Sequence, residues 1–523
     1  MKKIPQKLTL LFTLLFFLIS SAVFAEQVLH FGTAGEPGSL DPHKISGTWE
    51  NDIVGNVFLG LMTEDAKSNT VPGNAASYKL SNDKKVYTFK LRDNKWSDGV
   101  PVTAYDFEFG FRRIMDPGFN AEYASILYPI KNAKAIKSGE IKDINALGVK
   151  ALDSKTLEIT LDNPTPYFLN IMKHFTSFPI PKHAVEKFGD DWIKPENMVT
   201  NGPFVIREWI PNTHVMAVKN SNFYDAANVK IDKVYFYPTE DRSAALKKFR
   251  NGELHYNDDI PSDQIDWIKQ NLKGEYITGP YIGIYFYPMN VRLPKLGTRE
   301  IRHALSKAVN REVITEKVLK SGEVPAYGYV PPLNGFKLQS VPYKGQPYNK
   351  LLAEAKKTMT SLGYSKDKPL KLQLRYNTSE NHKKIAVAIS AMWKQIYVET
   401  ELLNSDVAVH YDEIEKHKFE VARAAWVADY GDPQNFLFLL MTGDPQNYSQ
   451  YSNSDFDALM KKSETISGAE RAQTLEKAEK IMLNDLPMIP IYYYVFHNLV
   501  SKKLKGYEPN SENIHRVRFM SLK

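Results

Sequence analysis

The sequence predicts an α/β protein built from more than one domain. Strand-like alternation and helix-like spacing of apolar residues follow each other along the whole chain. At 523 residues the chain exceeds the size of a typical domain, so two or three domains are expected. We find neither an internal repeat nor a low-complexity linker, and no later segment is plainly a copy of an earlier one.

Taken in order, predicted strands and helices alternate up to the carboxyl terminus. Tyr87, Phe89 and Leu91 alternate with polar residues and indicate a half-buried strand. Thr103 suits the N-cap of a helix that follows it. Other strands are expected at 28–32, 157–161, 199–210, 229–237, 370–376 and 489–496, and other helices at 50–61, 301–309, 382–393 and 472–482.

The first 25 residues predict a secretory signal peptide. Lys2, Lys3 and Lys7 precede an apolar run, and small residues lie at the expected cleavage site, Val23–Phe24–Ala25. The alternative is a membrane anchor, but the run is short for a membrane span. The chain has no cysteine, so it has neither disulfides nor a cysteine for lipid attachment. We therefore expect a soluble protein exported to a periplasm.

Composition argues against several classes of function. Without the three lysines of the predicted signal peptide the formal net charge is +4, and no basic cluster suits a nucleic acid. Catalytic and phosphate-binding motifs are missing, the histidines are scattered, and no cysteine can act as nucleophile or metal ligand. We expect a non-enzymatic binding protein without cofactor or metal, with an exported peptidase or other hydrolase as the rival class.

The stretch Arg423–Pro433 carries the most suggestive chemistry. Its apolar residues predict a strand, which the turn residues Gly431–Asp432–Pro433 end. The stretch holds a guanidinium (Arg423), a large aromatic ring (Trp426) and a carboxylate (Asp429), which together suit a zwitterion. The alternative is a core strand whose charges form structural ion pairs.

An ordered set of segments resembles the periplasmic oligopeptide-binding proteins of bacterial ABC importers. Each segment is weakly specific alone, but together they cover nearly the whole chain after residue 25. They are Ser39–Lys44, Tyr87–Leu91, Trp96–Gly99, Pro101–Ala104, Leu147–Asp153, Val185–Gly189, Val199–Gly202, Leu351–Ala355, Tyr376–Ser379, His382–Lys384, Arg423–Pro433 and Tyr492–Val495.

The resemblance implies a two-lobed periplasmic-binding-protein fold with an additional third domain. Domain I would comprise residues 26–58, 182–282 and 496–523, domain II residues 59–181, and domain III residues 283–495. Domains I and III would close over an oligopeptide, which the protein, a monomer, would deliver to a membrane-embedded ABC permease. A murein peptide, a dipeptide, haem or a nickel chelate are alternative ligands, because the same scaffold serves them all.

The resemblance also implies roles for single residues at the two ends of a peptide. Asp429 matches the residue that pairs with the α-ammonium group, and Tyr123 matches a tyrosine beside that group. Arg423 and His382 match positions that meet the terminal carboxylate of short peptides, with His382 contributing most when protonated.

Other residues match the walls and floor of the cleft. Trp426 resembles the wall of a side-chain pocket, while the backbones of Ala425 and Val427 would pair with the peptide like a neighbouring strand. Four more positions are similar to cleft residues of the family: Thr48, Tyr256, Asn257 and Tyr281.

Five positions depart from the family's pattern. Gly283 and Val427 lie where many members have cysteines that form a disulfide. In this chain, packing alone must therefore stabilise the lobe. Val407 and Ile414 fall near a second pocket tryptophan and an arginine of the family, and Pro288 near a glutamate. We therefore expect a conserved mode of amine recognition but an altered pocket and altered handling of the carboxylate.

Overall fold

The computed structural model describes residues 26–121, 123–258, 260–333 and 335–523. The predicted signal peptide, residues 1–25, lies outside the described residues. The predicted α/β class is confirmed, since helices and several sheets alternate along the chain. In the described part, no helix combines the length and the apolar character that crossing a membrane requires.

Twenty strands are present in the described residues. They are β1 Val28–Thr33, β2 Met62–Glu64, β3 Thr70–Pro72, β4 Ala75–Leu80, β5 Val86–Leu91, β6 Val149–Asp153, β7 Thr156–Thr160, β8 Phe204–Ile210, β9 His214–Lys219, β10 Lys233–Pro238, β11 Tyr256–Asn257, β12 Tyr276–Pro288, β13 Val324–Pro325, β14 Leu370–Asn377, β15 Val398–Ser405, β16 Val421–Ala422, β17 Ala424–Val427, β18 Met488–Val500, β19 Leu504–Lys505 and β20 Ser521–Leu522.

Fifteen α-helices lie between them in the same described residues. They are α1 Thr48–Val57, α2 Ala104–Met115, α3 Ala133–Lys137, α4 Phe168–Ile171, α5 Lys182–Phe188, α6 Arg242–Arg250, α7 Ile265–Asn271, α8 Arg299–Lys307, α9 Arg311–Val313, α10 Tyr348–Ser361, α11 Glu380–Lys394, α12 Val407–Glu415, α13 Gln434–Leu437, α14 Ser454–Thr465 and α15 Gly468–Asp485.

Local sequence explains the elements that were predicted well. On β5 the side chains of Tyr87, Phe89 and Leu91 are buried, as their alternation predicted. Thr103 is the N-cap of α2, and its backbone N–H donates to the Asp106 carboxylate at 2.8 Å. This reciprocal arrangement satisfies backbone donors that the first turn of a helix leaves unpaired.

Several predicted boundaries were wrong, and one buried side chain accompanies two of the differences. The helix expected over 50–61 ends at Val57, and the strand expected over 199–210 begins only at Phe204. Asn201 lies between them: its Oδ1 accepts from the Leu59 N–H at 3.0 Å and its Nδ2 donates to the Leu59 carbonyl at 2.9 Å. This amide therefore satisfies the backbone N–H and C=O of Leu59 just beyond the end of α1.

The largest sheet has nine strands and extends across the molecule. Its order is β17-β12-β18-β11-β1-β10-β9-β8, with β13 also paired to β18. A four-stranded antiparallel sheet, β4-β5-β7-β6, lies within the predicted domain II. A three-stranded parallel sheet, β15-β14-β16, lies within the predicted domain III. Each predicted domain thus contributes strands to a sheet, although its boundaries stay predictions.

Two long strands connect the lobes. β12 and β18 have 13 residues each and pair antiparallel, with a shift of register between Pro280 and Ile284. One apolar core gathers residues from Leu29 to Tyr256 with the carboxyl-terminal segment, and two further cores gather residues between Ile282 and Tyr493. The predicted boundaries 282/283 and 495/496 therefore fall within these connecting strands.

Candidate functional site

β17 forms one edge of the nine-stranded sheet. It pairs antiparallel with β12 from Gly283 opposite Val427 to Phe286 opposite Ala424. No other strand of the described residues pairs with its second edge. Arg423 directly precedes β17 and Asp429 lies two residues after it. The structure therefore presents an open row of backbone donors and acceptors between a cation and an anion.

A cavity of ≈ 300 Å³ opens where β17 ends. Distant parts of the chain line it together, including the start of α1, β12 and the carboxyl-terminal loop. Among the predicted site residues, Thr48, Tyr123, Tyr281, Val427 and Asp429 line this cavity. We call it the amine cavity, because Asp429, the residue predicted to pair with an α-ammonium group, lies in its wall.

Asp429 is a half-buried carboxylate held by neutral donors. The Tyr123 hydroxyl donates to its Oδ1 at 2.5 Å, and Asn435 Nδ2 donates to its Oδ2 at 3.2 Å. Burial raises the pKa of Asp429, although the hydrogen bonds from Tyr123 and Asn435 oppose this shift. Within the described residues no lysine, arginine or histidine forms an ion pair with Asp429. Its charge therefore has no protein counterion there.

Arg423 is a buried guanidinium in a cage of neutral groups. Its Nη1 donates to Asn377 Oδ1 and to the Tyr411 hydroxyl, both at 3.2 Å, and its Nη2 donates to the Tyr494 hydroxyl at 3.3 Å. The guanidinium carbon lies 4.9 Å from the centre of the Tyr285 ring. Only 7% of the residue is exposed, and no carboxylate of the described part forms an ion pair with it. Such a cation is suited to a carboxylate brought by a ligand.

His382 lies near Arg423, but not as a second cation. Its Nδ1 is 3.4 Å from the Tyr285 hydroxyl, whose ring also faces Arg423. Burial, and then the charges of Arg423 and His410, lower the pKa of His382 to about 3. The ring is therefore neutral near pH 7, and the expected contribution of a protonated His382 would apply only at low pH.

Trp426 lines a second cavity, which is small. Its Nε1 donates to Asn435 Oδ1 at 3.0 Å, and its ring meets Phe438 edge-on at 5.9 Å between centroids. This second cavity, lined by Ala425, Trp426 and Pro288 among others, measures only ≈ 10 Å³, about the volume for one water. The same amide, Asn435, thus orients both Trp426 and Asp429.

Tyr256 and Asn257, which are expected to be cleft residues, do not line the amine cavity. Their strand β11 is buried in the middle of the large sheet, where the Tyr256 ring stacks on Phe31 at 4.2 Å. Asn257 packs so closely on Gly32 that a Cβ there would lie 2.3 Å from its Oδ1. The next residue, Asp258, is the one that reaches the cavity.

The positions that depart from the family's pattern fall in three places. Gly283 and Val427 are direct partners across β12 and β17, as expected of positions that other members join by a disulfide. Ile414 is fully buried beside Phe419 and Ala422. Pro288 ends β12 and lines the small second cavity. The side chain of Val407 is outside the described residues.

The comparisons with known proteins agree with this architecture. Residues 69–448 match the model of the family "Bacterial extracellular solute-binding proteins, family 5 Middle". This chain belongs to that family. The prediction of a binding protein rather than an enzyme is confirmed at the level of the family, which is one of solute-binding proteins.

Several characterised proteins are similar to this family 5 protein over nearly its whole length. The periplasmic murein peptide-binding protein MppA of Escherichia coli K12 is 38% identical, over 94% of this chain and 92% of its own length. The periplasmic oligopeptide-binding protein OppA of Escherichia coli K12 is 37% identical, over 92% and 90%. An unliganded open form of MppA superposes with a TM-score of 0.84 at 37% identity, over 95% and 98%.

Sequence reasoning missed several residues that line the amine cavity of this solute-binding protein. Asp52 lies on α1, His174 precedes a short 3-10 turn, and Glu512 and Asn513 lie near the carboxyl terminus. Asp258 also lines the cavity and was the easiest to predict, because it directly follows Tyr256 and Asn257, which were proposed as cleft residues. The others carry no local signal, since only the tertiary fold brings them to one cavity. No group of His, Asp and Glu among the described residues is arranged to hold a metal ion.

Proposed function

We propose that this family 5 solute-binding protein binds short oligopeptides in a periplasm and delivers them to an ABC import permease. The peptide lies extended along β17, with its α-ammonium group at Asp429 and its carboxylate directed toward Arg423. Backbone pairing with Ala425 and Val427 accepts any sequence, because every peptide offers the same pattern of N–H and C=O groups.

A single observation carries this proposal: the charges at the two ends of β17 have no protein counterions in the described residues. Asp429 is held by hydroxyl and amide donors, and Arg423 by hydroxyl and amide acceptors. A buried charge without a partner is costly, so such a pair is retained where a ligand supplies the opposite charges. The four residues of β17 offer about 13 Å of strand edge, at about 3.3 Å per residue, for pairing with the backbone of a short peptide.

The location and the partner follow from sequence. The first 25 residues have the pattern of a signal peptide, and the relatives MppA and OppA are both named as periplasmic proteins. The permease is inferred from the resemblance to binding proteins of ABC importers.

Calorimetry with three forms of one peptide tests the proposal. Trialanine should bind, while N-acetyl-trialanine and trialanine amide should each bind at least tenfold more weakly, because each lacks one terminal charge. Mass spectrometry after incubation should recover trialanine intact and stoichiometrically. Equal binding of all three forms would refute recognition of the peptide termini. Repeated hydrolysis of trialanine that survives repurification would show that the protein is a hydrolase.

A murein peptide is the second candidate ligand. The observation that favours it is the 38% identity to MppA, which is as high as the identity to OppA. A murein tripeptide should therefore be titrated beside trialanine. A much higher affinity for the murein peptide would reassign the physiological ligand while leaving the mode of binding in place.

A further inference from the structure

The amine cavity is lined by more carboxyl groups than one ammonium group can bind. Asp52, Asp258, Asp429 and Glu512 all line it, and no lysine or arginine does. Glu512 is balanced, since Lys173 Nζ lies 2.6 Å from its Oε2. The histidine of the lining, His174, is neutral near pH 7, because burial and then Lys173 lower its pKa to about 3. Asp52 and Asp429 therefore line the cavity without an ion pair to any described residue.

Asp52 is the carboxylate whose position needs a ligand. The residue is only 8% exposed, and its side chain lines the amine cavity. In the described residues its carboxylate forms no hydrogen bond and no ion pair. Burial, and then the charge of Asp258, raise the pKa of Asp52 well above its ordinary value. A group buried to this degree is normally matched by a donor or a cation.

Arg516 acts on Asp52 but cannot match its charge fully. The charge of Arg516 stabilises the ionised form of Asp52, but Arg516 is already bound elsewhere. Its Nε donates to Glu64, and its Nη1 donates to the carbonyl of Asn51 at 2.8 Å. Arg516 does not line the cavity. The cavity side of Asp52 is thus open to a cation that enters from the cleft.

We propose that this protein selects peptides whose first residue carries a cationic side chain, lysine or arginine, which binds Asp52 beside Asp258 while the α-ammonium group binds Asp429. The inference rests on the proposed function. The first residue is the relevant one, because both carboxylates lie in the wall of the cavity that receives the amino terminus. A metal ion is a poorer occupant, since no group of the described residues is arranged to hold one.

The test compares tripeptides that differ only in the first side chain. Lys-Ala-Ala and norleucine-Ala-Ala have similar stems, but only the first carries a side-chain charge; Glu-Ala-Ala carries the opposite charge. By calorimetry at pH 7 the protein should bind Lys-Ala-Ala about tenfold to a hundredfold more tightly than norleucine-Ala-Ala, as expected of a hydrogen bond to a charged group. Glu-Ala-Ala should bind more weakly than both.

Substitution then locates the preference. In Asp52→Asn, the affinities for Lys-Ala-Ala and norleucine-Ala-Ala should differ by no more than about threefold, because the group that binds the side-chain cation is gone. Asp93→Asn is the control for the change in net charge, because the Asp93 side chain is fully exposed. It should leave the preference unchanged.

The outcomes separate this inference from the proposed function. If lysine and norleucine peptides bind equally to the unmodified protein, the inference is wrong and peptide binding stands; this comparison needs no variant. If Asp52→Asn keeps the full preference, the cation binds elsewhere and the inference is also wrong. If no tripeptide binds at all, the proposed function itself fails.

Discussion

Replacement of Asp429 by asparagine removes a charge and keeps much of the local geometry. An asparagine Oδ1 can still accept the Tyr123 hydroxyl that now donates to Asp429 at 2.5 Å. The contact between these two residues, 306 positions apart, should therefore survive, so the variant isolates the effect of charge on the bound ammonium group.

The expected loss follows from the environment of the carboxylate. Breaking a buried ion pair costs about 3–5 kcal/mol. Asp429 is half-buried, so we take the lower value, about 3 kcal/mol, which corresponds to about a 150-fold loss of affinity. The loss should appear only for ligands with a free amine, because N-acetyl-trialanine has no charge for Asp429 to balance.

Calorimetry measures the affinity of trialanine and of N-acetyl-trialanine for the unmodified protein and for Asp429→Asn. The four affinities form a double-mutant cycle. Asp444→Asn is the matched control, since Asp444 is also half-buried but lines neither cavity. That variant should keep the difference between the free and the acetylated peptide. If Asp429→Asn also keeps that difference, the ammonium group binds elsewhere and our reasoning about the amine cavity is refuted.

Three further predictions concern charge and pH. Arg423→Ala should flatten the affinity optimum of an alanine peptide ladder but keep the demand for a free amine; an unchanged length profile would show that the carboxylate binds elsewhere. Because the pKa of Asp429 is raised, the affinity for trialanine should fall when calorimetry is repeated from pH 7 to pH 5, and constant affinity would contradict this. Burial raises the pKa of Glu479 to about 7 from 4.5, so its stabilising neutral form is lost as pH rises through 7. Glu479→Gln should therefore be more stable than the unmodified protein at pH 8 by about 3 kcal/mol and similar at pH 4.5, as measured by thermal unfolding; equal stability at pH 8 would contradict it.

The sequence predicted most elements whose burial depends on local alternation or spacing. β5 and α2 are examples, since their own residues decide which face is buried and where the helix begins. The end of α1 could not be predicted, because it depends on Asn201, which is 142 residues away from Leu59. Secondary structure is thus predictable where local pattern decides, and not where a distant side chain satisfies backbone groups.

The same distinction holds for the site. The charges of Arg423 and Asp429 lie close together in sequence and flank one strand, so a single stretch revealed them. Asp52 and Glu512 are separated by most of the chain, and only folding brings them to one cavity. The protonation state of His382 could not be predicted from its residue type alone, because the pKa of the ring depends on its burial and on the charge of Arg423 nearby.

The arrangement of β12 and β18 constrains the order in which the chain can fold. β18 lies between β12 and β11 in the large sheet, yet it comes from residues 488–500 of 523. β12 and β11 therefore lack their common neighbour until nearly the whole chain is available. Pairings of such high sequence separation are slow, because much chain entropy is lost before they form. A chain that emerges amino terminus first must hold two incomplete sheet fragments with exposed edges, and chaperone binding or proteolysis in that interval should act chiefly on them.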